Sequence, residues 1–139
     1  MKTTSRILAL VLLLFLGFGG LYGALILISD PSGGKFDWSL ELLNGTPFNS
    51  YLLPGIVLLI ANGIFPLCVA VIILLKKKFA HKLIFFQGAV LILWLTVQLL
   101  INPEFFLPLT HYPTYFTGIL LVIISLLLRK QESKINIKP

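Results

Sequence analysis

Four long apolar runs dominate this 139-residue sequence and restrict what it can fold into. A helix needs about 20 apolar residues to cross the hydrocarbon core of a bilayer. The runs over residues 7–28, 52–75 and 83–101 reach that length without a charged residue. A fourth span over 109–128 carries Pro113 in its first turn, where the amide hydrogens have no intrahelical partner. The sequence therefore predicts an all-α, polytopic four-helix transmembrane bundle.

The composition excludes other classes of protein. Hydrophobic residues make up 58% of the chain and charged residues 12%, whereas a soluble domain is roughly a quarter charged. A soluble globular protein and a disordered chain are both excluded, and residues 1–139 are interpreted as a single transmembrane domain. The first run is longer than the roughly 7–15 apolar residues of a signal peptide, so we expect an uncleaved helix.

The distribution of charge predicts the orientation of the bundle. Four spans place both termini and the loop 76–82 on one side, and the loops 29–51 and 102–114 on the other. Ten of the eleven basic residues fall on the first side, which the positive-inside rule makes cytoplasmic. The net charge of +6 is thus a topology signal, and we expect no nucleic-acid partner. The ten residues are Lys2, Arg6, Lys76, Lys77, Lys78, Lys82, Arg129, Lys130, Lys134 and Lys138; Lys35 is the exception.

The first external loop, 29–51, has the pattern of a short interfacial helix. Phe36, Leu40 and Leu43 follow a helical spacing, Asp37 can cap the start, and Gly45 can end it. Aromatic residues of both external loops predict a belt at the outer interface, as is typical of membrane proteins. They are Trp38, Phe48, Tyr51, Phe105, Phe106, Tyr112 and Tyr115.

A polar stripe follows one face of the third span. Gln87, Trp94 and Gln98 are spaced seven and four residues apart, and Asn102 continues the stripe outward. Asn62 lies near the middle of the second span. Amides are costly toward lipid, so we expect these side chains to point inward. They form either interhelical hydrogen bonds, the preferred interpretation, or a polar groove for a lipid headgroup or small ligand.

The external loops also hold the chain's possible reactive groups. Carboxylates with a histidine can bind a divalent cation, but no recognised metal-binding spacing is present. We expect solvated loop charges, no metal, no cofactor and no catalytic residue. The group is Asp30, Asp37, Glu41, Glu104 and His111. The single cysteine, Cys68, is expected to be a small buried hydrophobe.

Small residues on the first span predict close helix packing. Gly19 and Gly23 form a G-x-x-x-G pair, and Gly20 with Ala24 forms a second pair of small residues. On the second span, Pro66 with Gly63 one turn earlier predicts a bend.

Three short motifs in and after the first external loop resemble a group of small uncharacterised bacterial four-span inner-membrane proteins. The motifs are Asp30-Pro31-Ser32-Gly33-Gly34, Gly45-Thr46-Pro47-Phe48 and Leu53-Pro54-Gly55. The resemblance implies four spans and a bacterial inner-membrane location, and it implies no activity.

Function is therefore expected from the membrane location alone. The preferred hypothesis is a non-enzymatic protein that binds membrane lipids or assists a membrane-protein partner, alone or as a homo-oligomer. One alternative is a membrane enzyme, or a subunit of one, that acts on a lipid-soluble substrate at the outer interface. Another is an oligomeric transport or channel component lined by Gln87, Gln98 or Asn62.

Overall fold

Four long helices make up the bundle in the computed structural model, which describes the backbone of residues 3–135 and the side chains of residues 3–131. Over that part the chain contains helices and turns and no β-strand. Each helix has a segment long and apolar enough to cross a membrane, so the predicted fold class is confirmed. The helices are α1 (Thr3–Ser29), α2 (Leu52–Leu74), α3 (Ala80–Ile101) and α4 (Pro108–Ile135).

Some residues used in the topology prediction are not covered. Lys2 and Lys138 lie outside the described residues, and for Glu132 and Lys134 the structure describes the backbone alone. The end of the bundle that carries residue 3, the turn 75–79 and the end of α4 is called the terminal half below. The opposite end, which carries the loops 30–51 and 102–107, is called the loop half.

The helices pack as two close pairs, α1 with α2 and α3 with α4, at points where glycines meet backbone. A Cβ on Gly20 would collide with the carbonyl group of Asn62 on α2. A Cβ on Gly88 of α3 would lie 2.7 Å from the carbonyl oxygen of Gly118 on α4. Only glycine allows backbones to approach this closely, so these positions set the spacing within each pair.

The predicted packing role of Gly19 and Gly23 is wrong. A Cβ on Gly19 would have no atom within 4 Å, and one on Gly23 would only touch the end of Leu58 at 3.4 Å. The contact with α2 falls instead on Gly17 and Gly20. Successive helical positions are about 100° apart, so Gly19 faces away from the helix that Gly20 contacts.

The sequence predicts a bend at Gly63 and Pro66. In the structure, α2 contains a π-helical segment there. The wider turn covers Leu59–Ile64 within α2, directly before Pro66. Proline has no amide hydrogen to donate to the carbonyl four residues earlier, which here belongs to Asn62. The regular hydrogen-bond ladder is therefore interrupted at the point where α1 approaches α2 most closely.

The terminal half is filled by interlocking apolar side chains from all four helices. Hydrogen bonds from Arg6 connect α1 to the end of α2 there. The guanidinium of Arg6 donates to the carbonyls of Ile73 (2.8 Å) and Leu74 (3.0 Å). Such bonds satisfy carbonyls that a helix end leaves unpaired. The core cluster comprises Ala9, Leu13, Leu16, Val69, Ala70, Ile73, Ala80, Ile84, Leu91, Leu121, Ile124 and Leu128.

Cys68 is exposed on the outside of α2, so its prediction as a buried residue is wrong. In a soluble protein an apolar run indicates burial. A membrane-spanning helix is apolar on its lipid-facing side as well, so the run does not show which side Cys68 occupies.

The first loop, residues 30–51, folds into a compact layer over the loop half and is called the cap below. It contains two short 3₁₀ helices, Gly34–Phe36 and Leu40–Leu43, rather than one interfacial helix. The second begins at Ser39, whose hydroxyl accepts from the amide of Glu41, and not at the predicted cap residue Asp37. Asp37 ends the first turn with a positive φ of 55°.

Tyr51 fixes the cap to the start of α2. Its side chain is 1% exposed, its hydroxyl donates to the carbonyl of Ser39 (2.8 Å), and its amide donates to that of Pro31 (2.9 Å). Gly33 has a φ of 83°, and a Cβ there would lie 2.6 Å from the Tyr51 ring. The loop therefore needs glycine here for both its conformation and its space.

The second loop is attached to the cap rather than to the membrane surface. Asn102 donates from Nδ2 to the carbonyl of Leu42 (2.9 Å), and its Oδ1 accepts from the amide of Glu104 (3.0 Å). The rings of Trp38 and Phe105 meet edge to face at 5.2 Å. Trp38, Tyr51 and Phe105 of the predicted aromatic belt pack against one another, and Tyr51 and Phe105 are buried; the belt itself stays a prediction.

Candidate functional site

A cavity of about 510 Å³ lies inside the loop half of the bundle. Asn62 and Leu91 border it toward the terminal half. The aromatic residues Trp38, Tyr51 and Phe105 border it at the cap end. The cavity lies between the helices beyond the filled core, and residues of the cap line its other end.

The cavity wall is apolar and uncharged. Among the described residues that line it, none is Asp, Glu, Lys or Arg. Eight of the lining residues have aromatic side chains: Phe15, Tyr22, Phe36, Trp38, Phe48, Tyr51, Trp94 and Phe105. The polar lining residues are Thr46, Asn62, Gln98, Asn102, Thr110, His111 and Thr114. An apolar pocket with a few placed polar groups is typical of small-molecule sites.

The cavity is open on the side where its lining residues from α1 and from the α3–α4 pair are exposed. Phe15 and Tyr22 line it from α1 and are also 63% and 69% exposed. On the other side of the opening Val97 and Thr110 are likewise exposed. In the terminal half the same helices are joined by buried side chains such as Leu13 and Leu121. A bundle that spans a membrane would therefore present this opening to lipid.

His111 is the one ionisable side chain other than tyrosine among the described residues that line the cavity, and it is 2% exposed. In the sequence it falls where the predicted external loop 102–114 overlaps the predicted span 109–128, and the structure places it in the first turn of α4. Its Nδ1 lies 3.1 Å from both the amide nitrogen and the carbonyl oxygen of Leu107. Its Nε2 is buried and has no hydrogen-bond partner. An unsatisfied buried group of this kind costs about 1–3 kcal/mol.

The polar stripe of α3 faces inward, as its spacing indicates, but its members divide into two groups. Trp94 and Gln98 line the cavity. Gln87 lies one layer deeper, fully buried, and donates from Nε2 to Oδ1 of Asn62 at 3.2 Å. Oε1 of Gln87 is buried without a partner. The Asn62–Gln87 pair is an interhelical bond between α2 and α3, which matches the preferred interpretation for these two residues.

Asn102 combines a structural and a lining position. Its two hydrogen bonds, to the cap and within its own loop, use both ends of its amide. It also borders the cavity. Asn102 therefore connects the two loops. The stripe pattern did not indicate this structural role.

The predicted external polar group does not assemble. Among the residues that the structure describes, no three His, Cys, Asp or Glu side chains lie close enough to hold a metal ion. Asp37, Glu41 and Glu104 are exposed, and His111 is buried beneath Phe105 and Phe106.

Asp30 instead organises the first turn of the cap. Its carboxylate accepts from the hydroxyl of Ser32 (2.6 Å) and from the amide of Lys35 (2.9 Å). The hydrogen bond from Ser32 is the main cause that lowers the pKa of Asp30 below its usual range. This carboxylate stabilises a turn and does not contribute to the cavity.

Comparison with known proteins gives no relative for this chain: no family model, curated protein or solved structure matches it.

Proposed function

We propose that this protein is a multi-pass membrane protein that holds a lipid-soluble molecule in the cavity of its loop half. The observation that carries the proposal is an apolar, uncharged cavity that opens on the side of the bundle. Its volume of about 510 Å³ lies within the range of roughly 300–1,000 Å³ that small-molecule sites occupy. A side opening allows an apolar molecule to enter from the bilayer without crossing water.

We further propose that the loop half faces the outside of a bacterial inner membrane and that the termini are cytoplasmic. The excess of Lys and Arg at the terminal half supports this orientation. The resemblance of the loop motifs to small bacterial membrane proteins supports the location. Lys35 should then react with a membrane-impermeant amine reagent in intact cells. Reaction of Lys35 only after permeabilisation would contradict the orientation.

The alternatives have less support. An enzyme gathers ionisable groups in a cleft, and the acidic side chains of the loops stay at the surface. A transport path through one bundle would have to cross the terminal half, where the four helices are packed together. A membrane-protein partner or a second copy remains compatible with a lipid-binding role.

The proposal is tested by filling the cavity. Gly19 lines it, and a Cβ at this position would touch nothing within 4 Å. Gly19 is an exposed lining residue, so phenylalanine in Gly19→Phe should obstruct the open side of the cavity, whereas Gly19→Ala is a matched control that adds one methyl group. Native mass spectrometry of protein extracted from membranes should show a co-purifying lipid-soluble molecule on the wild type and Gly19→Ala. Gly19→Phe should lose it.

Gly23→Phe provides a second filling variant from the same wall of the cavity. Unchanged ligand occupancy in both phenylalanine variants, with both proteins folded, would contradict the proposed site.

A further inference from the structure

We infer that the molecule in the cavity is a neutral lipid with a planar, carbonyl-bearing headgroup, of the chemical class of the isoprenoid quinones, and that Nε2–H of His111 donates to its carbonyl. The inference rests on the proposed function and identifies the ligand of the same site. It is carried by the unpartnered nitrogen of His111, the uncharged wall and the aromatic lining.

The hydrogen bonds around His111 determine which ring nitrogen carries the proton. The carbonyl of Leu107 already accepts from the amides of Thr110 (3.0 Å) and His111 (2.8 Å). The amide of Leu107 precedes the helix and donates to Nδ1 of the His111 ring (3.1 Å). Nδ1 is therefore the acceptor, and the proton of the neutral ring is on Nε2.

A buried N–H group with no protein partner can donate to an acceptor on a ligand. Nε2 of His111 is such a group, and His111 borders the cavity. Because Nε2 itself is covered, a ligand oxygen reaches it only when a neighbouring side chain shifts. A carbonyl oxygen is the matching group. Gln98 and Thr114 line the same cavity and add amide and hydroxyl groups for a second polar atom of the headgroup.

The wall selects against charged headgroups. A phosphate or carboxylate removed from water needs a cation or several donors, and no Lys or Arg is among the described lining residues. A phospholipid headgroup is therefore a poor occupant. A neutral molecule avoids this cost.

The aromatic side chains favour a flat ring over an acyl ester. Trp94 lines the cavity from α3, and Trp38 lines it from the cap, where it also stacks with Phe36 at 4.7 Å. Aromatic surfaces pack well against planar rings in offset or edge-to-face arrangements. The side opening between α1 and the α3–α4 pair leaves room for an isoprenoid chain to extend into the bilayer.

Both tryptophans of the chain line the cavity, so intrinsic fluorescence reports on the ligand. A quinone with one isoprenoid unit is titrated into purified protein in detergent, because quinones quench tryptophan emission on contact. Wild-type protein should show saturable quenching, and Gly19→Phe should not. His111→Phe keeps the aromatic volume but removes the donor, and its Kd should be about tenfold weaker.

Two further variants separate hydrogen bonding from packing. His111→Gln retains an N–H donor at a similar reach and should bind within about threefold of the wild type. His81→Gln alters the other histidine, which lies outside the cavity, and should bind like the wild type. Dioctanoylglycerol, a neutral ester lipid, is added as a competitor and should displace the quinone only weakly.

NMR of ¹⁵N-histidine gives a readout that needs no variant. The Nε2–H signal of His111 should move when the quinone is added, and the signals of His81 should stay in place.

Each outcome has one meaning. Equal Kd values for wild type and His111→Phe, or an unmoved His111 signal at saturation, would overturn the role of His111. Tighter binding of dioctanoylglycerol than of the quinone would overturn the planar headgroup. The wild type could show no quenching by the quinone while Gly19→Phe still loses the co-purifying molecule. That result would overturn the quinone class but leave the proposed function standing. If Gly19→Phe retained both the co-purifying molecule and the binding of the added quinone, the proposed function and the quinone inference would both be overturned.

Discussion

The terminal and loop halves of the bundle are built from similar apolar residues but differ in packing. In the terminal half, side chains from four helices interlock around residues such as Leu13 and Leu121, which are 0% exposed. In the loop half, α1 turns Gly19 and Gly23 toward open space. A membrane bundle gains stability mainly from packing contacts, because lipid is as apolar as the protein interior. A half that gives up those contacts is therefore a candidate for function rather than stability.

Glycine has opposite meanings in the two kinds of packing. At Gly20 and Gly88 the missing side chain lets two backbones touch. At Gly19, an exposed residue that lines the cavity, no atom lies within 4 Å of where a Cβ would be, so no second backbone needs the glycine. The buried Asn62–Gln87 pair lies at the boundary, beneath the cavity and above the filled core.

The largest predicted effect contrasts a glycine in a helix contact with one at the cavity. Gly88→Val should reduce the free energy of unfolding by about 3 kcal/mol, because its Cβ alone would lie 2.7 Å from the Gly118 carbonyl oxygen. Gly19→Val should change it by less than about 0.5 kcal/mol. Reversible unfolding in mixed micelles measures both. Equal losses in the two variants would show that the loop half is packed as tightly as the core.

The next contrast removes side chains instead of adding them. Leu121→Ala should cost about 2 kcal/mol, because the fully buried side chain leaves a void among its neighbours. Leu58→Ala enlarges a cavity that already exists and should cost under about 1 kcal/mol. The same unfolding assay applies. A larger loss at Leu58 than at Leu121 would contradict the difference in packing.

A smaller effect is expected at the boundary between the halves. A double-mutant cycle of Asn62→Leu and Gln87→Leu should give a coupling energy of about 1 kcal/mol in unfolding, since each amide loses its partner when the other is replaced. Thr96→Val, which removes the separate bond to Tyr115, should be additive with Asn62→Leu. A coupling near zero would mean that the amides do not pin α2 to α3.

The smallest effect concerns pH and is confined to the loop half. The pKa of Asp30 is lowered in the folded cap, so its ionised form stabilises the turn at neutral pH. This contribution is lost as the pH falls through the lowered pKa, below about pH 4. The protection factor of the Lys35 amide, which donates to Asp30, should fall there in the wild type when amide exchange is corrected for its intrinsic pH dependence.

Two variants test the origin of that dependence. Asp30→Asn should show a low protection factor for the Lys35 amide at all pH values, whereas Asp37→Asn should behave like the wild type. A wild-type pH profile that Asp30→Asn reproduces would assign the effect to another group.

The bundle could be predicted because the length and hydropathy of a span are read from an uninterrupted apolar run, whichever face each residue occupies. The inward-facing side of each helix could not be predicted, because lipid-facing and core-facing residues of these helices are equally apolar. This ambiguity explains the errors at Gly19 and Cys68. Polar residues escape it, and the inward orientation of Gln87, Trp94 and Gln98 was predicted correctly for that reason.

The candidate site was predicted only in part. The polar stripe correctly indicated the side of α3 that lines the cavity. Asn62 indicated the residue that borders the cavity toward the terminal half. The aromatic residues of the loops were assigned to the membrane interface, because sequence does not show that the cap folds inward. His111 was missed as a cavity residue since it was grouped with the acidic residues of the loops, although the span 109–128 already included it. The start at Pro108, a residue suited to the first turn of a helix, was the available signal.

The bond between Asn102 and the Leu42 carbonyl joins residues that are 60 positions apart, and this has a consequence for biosynthesis. A ribosome delivers α1, the cap and α2 to the membrane before Asn102 and Phe105 have been made. The cap can reach its final form only after the third helix has been inserted and its outer end has emerged. Until then Trp38 lacks its contact with Phe105, so the cavity of the nascent chain is completed in the last steps of assembly.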